Sequence, residues 1–103
     1  MKSVFTEDTK RALDKIRKFN WQIIDGKIRV RGVDGEGNPG MLCPLGAIRA
    51  LETRRVEFTA GFDFGAAWWL ANIDSVQQDY ISNAADTQNH ENRPELMQLL
   101  EME

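Results

Sequence analysis

The fold class is indicated most clearly by one stretch of the chain, Trp21-Gln22-Ile23-Ile24-Asp25-Gly26-Lys27-Ile28-Arg29-Val30-Arg31. Asp25-Gly26 is a two-residue turn of the kind that closes tight β-hairpins, and both flanking runs contain β-branched residues. The second run alternates, so Ile28 and Val30 are predicted to face a core while the cations between them face solvent. A two-stranded hairpin is only marginally stable in water, and it therefore has to pack against helices or a third strand.

Helical segments are predicted on both sides of this hairpin. Capping residues and apolar spacing place them from Thr6 to Lys18, from Pro44 to Thr53, from Ala66 to Ala71, from Asp74 to Asp86, and from Asn92 to Leu100. Gly32–Gly40 is predicted to be a loop, and Arg54–Thr59 is the candidate third strand. The expected fold is α+β: one small globular domain over residues 1–103, mostly helical, with about five helices and one hairpin.

The helix over residues 74–86 has two candidate N-caps, Asp74 and Ser75. Ser75-Val76-Gln77-Gln78 matches the capping-box pattern. Helical spacing predicts an inner face made of Val76, Tyr80, Ile81 and Ala84.

Composition excludes several classes of protein. The chain has 103 residues and one cysteine, so it is large enough for one core and has no internal disulfide. No apolar run approaches the roughly 18 residues of a membrane span, and the start Met1-Lys2-Ser3-Val4 does not resemble a signal peptide. A cytoplasmic protein without membrane association is expected.

Cys43 lies in the block Met41-Leu42-Cys43-Pro44-Leu45-Gly46-Ala47-Ile48, where a loop turns into a helix. A thiol at the positive end of a helix dipole is one setting in which cysteine becomes reactive, but a buried, inert cysteine is the commoner outcome. The sole histidine, His90, lies far along the chain, and its i,i+4 spacing from Asp86 is an insufficient metal signal. Neither a zinc pattern nor a phosphate-binding glycine motif occurs, so no metal or cofactor is predicted.

The net charge of −3 conceals an asymmetry between the two halves of the chain. The cations cluster early in the chain. A set on and beyond the hairpin forms the candidate phosphate contacts: Lys27, Arg29, Arg31, Arg54 and Arg55. The later half is acidic, and a partner-binding acidic face is predicted from Asp74, Asp79, Asp86, Glu91 and Glu95. The alternative in each case is a solvated surface without a specific partner.

Trp68 and Trp69 are adjacent and therefore point about 100° apart on a helix. One of them is predicted to be partly exposed and to contribute to a binding surface, where tryptophan is enriched. Burial of the helix on both sides accounts for the pair equally well.

Several short patterns resemble a group of short uncharacterised phage and prophage proteins. They are Ile28-Arg29, a glycine-containing loop, Cys43-Pro44-Leu45-Gly46-Ala47-Ile48, Ala84-Ala85-Asp86 and Leu99-Leu100. In that group an asparagine often follows the Ala-Ala-Asp, whereas this chain has Thr87. The group has no activity to carry over, so the resemblance implies only an accessory protein of a mobile element.

Three classes of function remain open. The first is a non-catalytic protein-binding module. In a phage, such a module would bind a host protein, for example a nucleic-acid-targeting defence component, and inhibit or redirect it. The second is a nucleic-acid-binding protein that uses the cationic hairpin face. The third is an enzyme that depends on Cys43.

Overall fold

The structure is a computed structural model that describes residues 2–18, 21–33, 39–53 and 72–101. Its elements run in the order α1 (Glu7–Arg17), β1 (Trp21–Ile24), β2 (Lys27–Val33), β3 (Pro39–Leu42), α2 (Pro44–Thr53), α3 (Ser75–Asp86) and α4 (Arg93–Glu101). The predicted α+β class is confirmed, with four helices and a three-stranded sheet in the described ranges. The predicted helix Ala66–Ala71 and the candidate strand Arg54–Thr59 lie outside the described residues.

Helix α1 begins as its sequence predicts. The Thr6 hydroxyl oxygen accepts a hydrogen bond from the Thr9 backbone N–H at 3.2 Å, which satisfies one of the free amides of the first turn. The apolar side chains of Ala12, Leu13 and Ile16 are buried. The helix is therefore held by an N-cap at one end and by its amphipathic face along its length.

The hairpin is also confirmed, and its turn explains why this sequence forms it. Asp25 has a φ of 52° and Gly26 a φ of 73°, the left-handed conformation that a type I′ turn requires at both central positions. The turn fixes the register, which pairs Ile24 with Lys27 and Ile23 with Ile28. This register places Ile28, which is fully buried, on the core side of the sheet.

The third strand lies in a place that the sequence does not predict. The sheet order is β1-β2-β3, all antiparallel, and β3 is Pro39–Leu42. The predicted loop over residues 32–40 was therefore wrong at both ends, because β2 continues to Val33 and β3 begins at Pro39. Glycine is depleted in strands because it has no side chain to pack, yet here Gly32 pairs with Gly40.

The core lies between the inner face of the sheet and the helices. Helix α1 packs against α2 and α4, while α3 packs against α2, α4 and β2. Large aliphatic side chains from both layers are fully buried, among them Leu13, Ile16, Ile28, Val30, Ile48, Ile81, Leu96 and Leu100. None of the helices in the described ranges is long and apolar enough to cross a membrane.

Helix α3 is capped by Asp74. The Asp74 carboxylate accepts a hydrogen bond from the Gln77 backbone N–H at 2.9 Å, and α3 begins at Ser75. Of the two candidate N-caps, Asp74 is therefore the cap, and the predicted capping box from Ser75 to Gln78 does not form. Since the carboxylate is negative, it also interacts favourably with the positive end of the helix dipole.

The inner face predicted for α3 was wrong in its first turn. Val76 is 52% exposed, while Gln77 is buried. The Gln77 amide occupies the inner position because it has partners there: its Nε2 donates to the Val4 carbonyl at 2.9 Å and its Oε1 accepts from the Thr6 N–H at 3.1 Å. A buried amide with both ends hydrogen-bonded avoids the cost of an unsatisfied polar group. These contacts fasten the N-terminal segment to α3.

Candidate functional site

A cleft opens where the third strand leaves the sheet. Strands β2 and β3 pair up to Val30 and Leu42, and continuation of the register would pair Ile28 with Pro44. Pro44 has no N–H to donate to a strand, but it suits the first position of a helix. The chain therefore turns into α2 at this point. The space of about 410 Å³ beyond the last strand pair is bordered by β2, the start of α2 and α3.

Charges of opposite sign line this space, which we name the mixed-charge cleft. Lys27 and Arg29 contribute the β2 side, and Asp79 and Asp86 belong to the α3 side. The remaining lining residues are polar or apolar: Cys43, Pro44 and Leu45 from the start of α2, and Gln78, Ser82 and Ala85 from α3. Two cations from the first half of the chain and two carboxylates from the second half therefore line the same cleft.

The four charged side chains of the cleft are not paired with one another. Among the described residues, none of them takes part in an ion pair or in a side-chain hydrogen bond. On α1, by contrast, Arg17 and Asp14 form an ion pair at 2.6 Å. Lys27, Asp79 and Asp86 are exposed, and Arg29 is half-buried. Both signs of charge are therefore available to a molecule that enters the cleft.

Cys43 is the N-cap of α2. Its carbonyl accepts from the Ala47 N–H at 3.0 Å, and its Sγ lies 3.4 Å from the Gly46 backbone nitrogen, which donates to it. The thiol is half-buried at the cleft. His90 does not line the cleft, and its Nδ1 accepts from the Asn92 N–H at 3.1 Å. The structure thus gives Cys43 a capping role and does not bring the sole histidine to it.

The predicted acidic face divides into residues with different environments. Asp79 and Asp86 line the cleft, whereas Asp74 caps α3. Glu91 is exposed in the turn before α4, and Glu95 accepts a hydrogen bond from the Ser3 hydroxyl. Only Asp79 and Asp86 therefore share a site with the cations.

The predicted cationic set divides as well. Arg31 is exposed on β2 beyond the cleft, next to Met41 of β3. Arg54 and Arg55 lie outside the described residues, as do Trp68 and Trp69. Sequence reasoning missed Ser82 as a site residue. The spacing of Asp79, Ser82 and Asp86 at three and four residues was the available signal, because such residues share one helix face.

The metal hypothesis gains no support from the geometry. Helix α3 ends at Asp86, so Asp86 and His90 do not stand one turn apart on a helix. Across the described ranges there is no group of three or more His, Cys, Asp or Glu side chains that could hold a metal ion.

Comparisons with known proteins do not assign this chain to a family. No protein-family model matches it, and neither does any curated protein or solved structure.

Proposed function

We propose that the protein is a non-catalytic protein-binding module and that the mixed-charge cleft is its docking site. The observation that carries this proposal is the set of four charges, Lys27, Arg29, Asp79 and Asp86, which line one cleft without pairing. A partner segment with complementary charges gains attraction from both sides of the cleft. Complementary charges also accelerate encounter and exclude partners with the wrong pattern.

The strength of such contacts depends on how far the partner excludes water. Two unit charges about 4 Å apart attract by about 1 kcal/mol in bulk water and by about 4 kcal/mol at the effective dielectric constant of a protein surface. Arg29 is already half-buried, so its contact with a partner is screened less than that of the exposed Lys27. We expect Arg29 to contribute more of the affinity than Lys27.

A nucleic-acid partner is the second candidate, and the same cleft argues against it. A phosphate that approaches Lys27 and Arg29 also approaches Asp79 and Asp86, which repel it. Arg31 is exposed and does not line the cleft, so a weak, salt-sensitive phosphate contact would centre there.

The biological setting that we propose follows the resemblance described above. A phage or mobile-element accessory protein of this size would act by occupying a surface of a host protein and inhibiting or redirecting it. The mixed-charge cleft supports this mode of action because it offers charges of both signs to the surface of such a protein.

Affinity capture with matched variants tests the proposed function. Proteins are captured from bacterial lysate, with and without nuclease, by three tagged forms of the full chain. They are the unaltered protein, the cleft variant Asp79→Lys/Asp86→Lys and the control variant Glu7→Lys/Glu101→Lys. The two variants change the net charge equally, and the control positions are exposed outside the cleft. A stoichiometric protein that survives nuclease, is retained by the control and is lost from the cleft variant supports the module. Capture that disappears with nuclease would instead favour the nucleic-acid candidate.

A further inference from the structure

We propose that the segment bound in the mixed-charge cleft is an extended peptide in which acidic and basic residues alternate. This inference rests on the proposed function and names the chemistry of the partner. In the mixed-charge cleft, cations lie on a strand along one side and carboxylates lie on a helix along another.

The spacing along each side follows from the element that carries it. Lys27 and Arg29 are two residues apart on β2, which corresponds to about 6.6 Å along a strand. Asp79 and Asp86 are seven residues apart on α3, which corresponds to about 10.5 Å along a helix. Each side therefore offers charges of one sign over a length of two to three residues of extended chain.

An extended peptide directs successive side chains to opposite sides of its backbone. In the order acid-base-acid, both acidic side chains would face β2 with a separation of about 6.6 Å, which equals the spacing of Lys27 and Arg29. The basic side chain between them would face Asp79 and Asp86. A peptide with the same residues in two blocks would instead place acidic or basic side chains against charges of their own sign.

The size of the cleft favours a short extended segment over a helix. Its 410 Å³ lies in the range of about 300–1,000 Å³ that encloses a drug-sized ligand. An α-helix with its side chains is about 10–12 Å wide and presents neighbouring residues about three or four positions apart. Pro44, Leu45 and Ala85 add apolar surface to the lining, which suits the aliphatic parts of glutamate and lysine side chains.

The test compares two labelled hexapeptides of identical composition by fluorescence anisotropy with the full chain. One has the central order Glu-Lys-Glu-Lys and the other Glu-Glu-Lys-Lys, and both have blocked ends. We expect the alternating peptide to bind at least about tenfold more tightly, the factor that one additional opposite-charge contact provides. Its affinity should fall as salt is raised.

Charge-reversed variants show whether the contrast arises in the cleft. Asp79→Lys/Asp86→Lys makes both sides cationic, so we expect it to lose the preference for alternation and to bind an all-glutamate peptide more tightly. The control Glu7→Lys/Glu101→Lys should retain the preference. Thermal melts of all three proteins establish that they fold.

The outcomes separate this inference from the proposed function. Equal affinity for the two peptides, or no binding of either, overturns the alternating pattern even if a captured protein still depends on the cleft. A preference that persists in Asp79→Lys/Asp86→Lys also overturns the inference, because recognition would then arise elsewhere. Loss of the cleft dependence in the lysate capture overturns the proposed function itself. Competition by a single-stranded oligonucleotide with an affinity above that of the peptide would identify a nucleic-acid site and overturn both.

Discussion

Replacing Arg93 with methionine is expected to lower the free energy of unfolding by about 3 kcal/mol. Arg93 begins α4, is only 8% exposed, and reaches back to the end of α3. Its Nη1 donates to the Ala84 carbonyl at 3.0 Å and to the Ala85 carbonyl at 3.2 Å. Both carbonyls belong to the last turn of α3, where no intrahelical N–H remains to satisfy them.

The magnitude follows from the kind of hydrogen bond that is lost. A hydrogen bond to a charged group contributes about 1.5–3 kcal/mol, and a buried acceptor left without a partner costs about 1–3 kcal/mol. Both bonds of Arg93 come from a single nitrogen atom, so we take about 3 kcal/mol for the pair and do not double the single value. The positive charge also faces the negative end of the α3 dipole, which adds to the effect.

Urea unfolding followed by circular dichroism measures the change. Methionine retains an unbranched apolar stem, so Arg93→Met removes the guanidinium while largely preserving the packing. The expected loss corresponds to a fall in Tm of about 12–24 °C, since each kcal/mol shifts a domain of this size by about 4–8 °C. Arg93→Lys keeps the charge with a smaller head group and should lie between methionine and the natural residue. An Arg93→Met variant within about 0.5 kcal/mol of the unaltered protein, as for an ordinary surface substitution, would refute the reasoning.

Two further substitutions test local features by the same unfolding measurement. Asp74→Ala should cost about 1 kcal/mol because it removes the N-cap of α3, whereas Ser75→Ala should be nearly neutral; equal costs would contradict the assignment of the cap. At Gly26, with its φ of +73°, an added Cβ would overlap the Gln88 side-chain amide and lie 3.0 Å from its Cδ. The exposed Gln88 side chain is flexible and can turn aside, so Gly26→Ala should cost about the 1–2 kcal/mol of the left-handed backbone; a cost below about 0.5 kcal/mol would contradict the strain expected at this position.

The parts of the fold that could be predicted are those fixed by neighbours in sequence. Asp25-Gly26 specifies its turn through the φ values of its own residues, and the turn then sets the register of Lys27 and Ile28. Thr6 caps α1 through an amide three residues away. Such features require no knowledge of the rest of the chain, and the structure confirms them.

The parts that could not be predicted depend on distant residues. Gly40 belongs to β3 because it pairs with Gly32 of β2. The β-propensity of a residue does not include such a pairing partner. Gln77 displaces Val76 from the inner position because the backbone near the N-terminus hydrogen-bonds its amide. The mixed-charge cleft also depends on residues that are distant in sequence. Periodicity identifies the charged faces of β2 and α3 separately, but it does not show that the two faces lie next to each other.

Pro44 connects the predicted block around Cys43 with the unpredicted cleft. Because proline lacks an N–H, β3 cannot continue along β2 past Leu42, and because its φ suits a helix, α2 starts at once. The same residue that makes Cys43 an N-cap therefore leaves the first residues of β2 paired with β1 on one side and without a strand on the side of β3. Helix α3 borders the space that results on that side. The main effect of the Cys43-Pro44 pair is therefore to end β3. The candidate site results from the end of this strand more than from the Cys43 thiol.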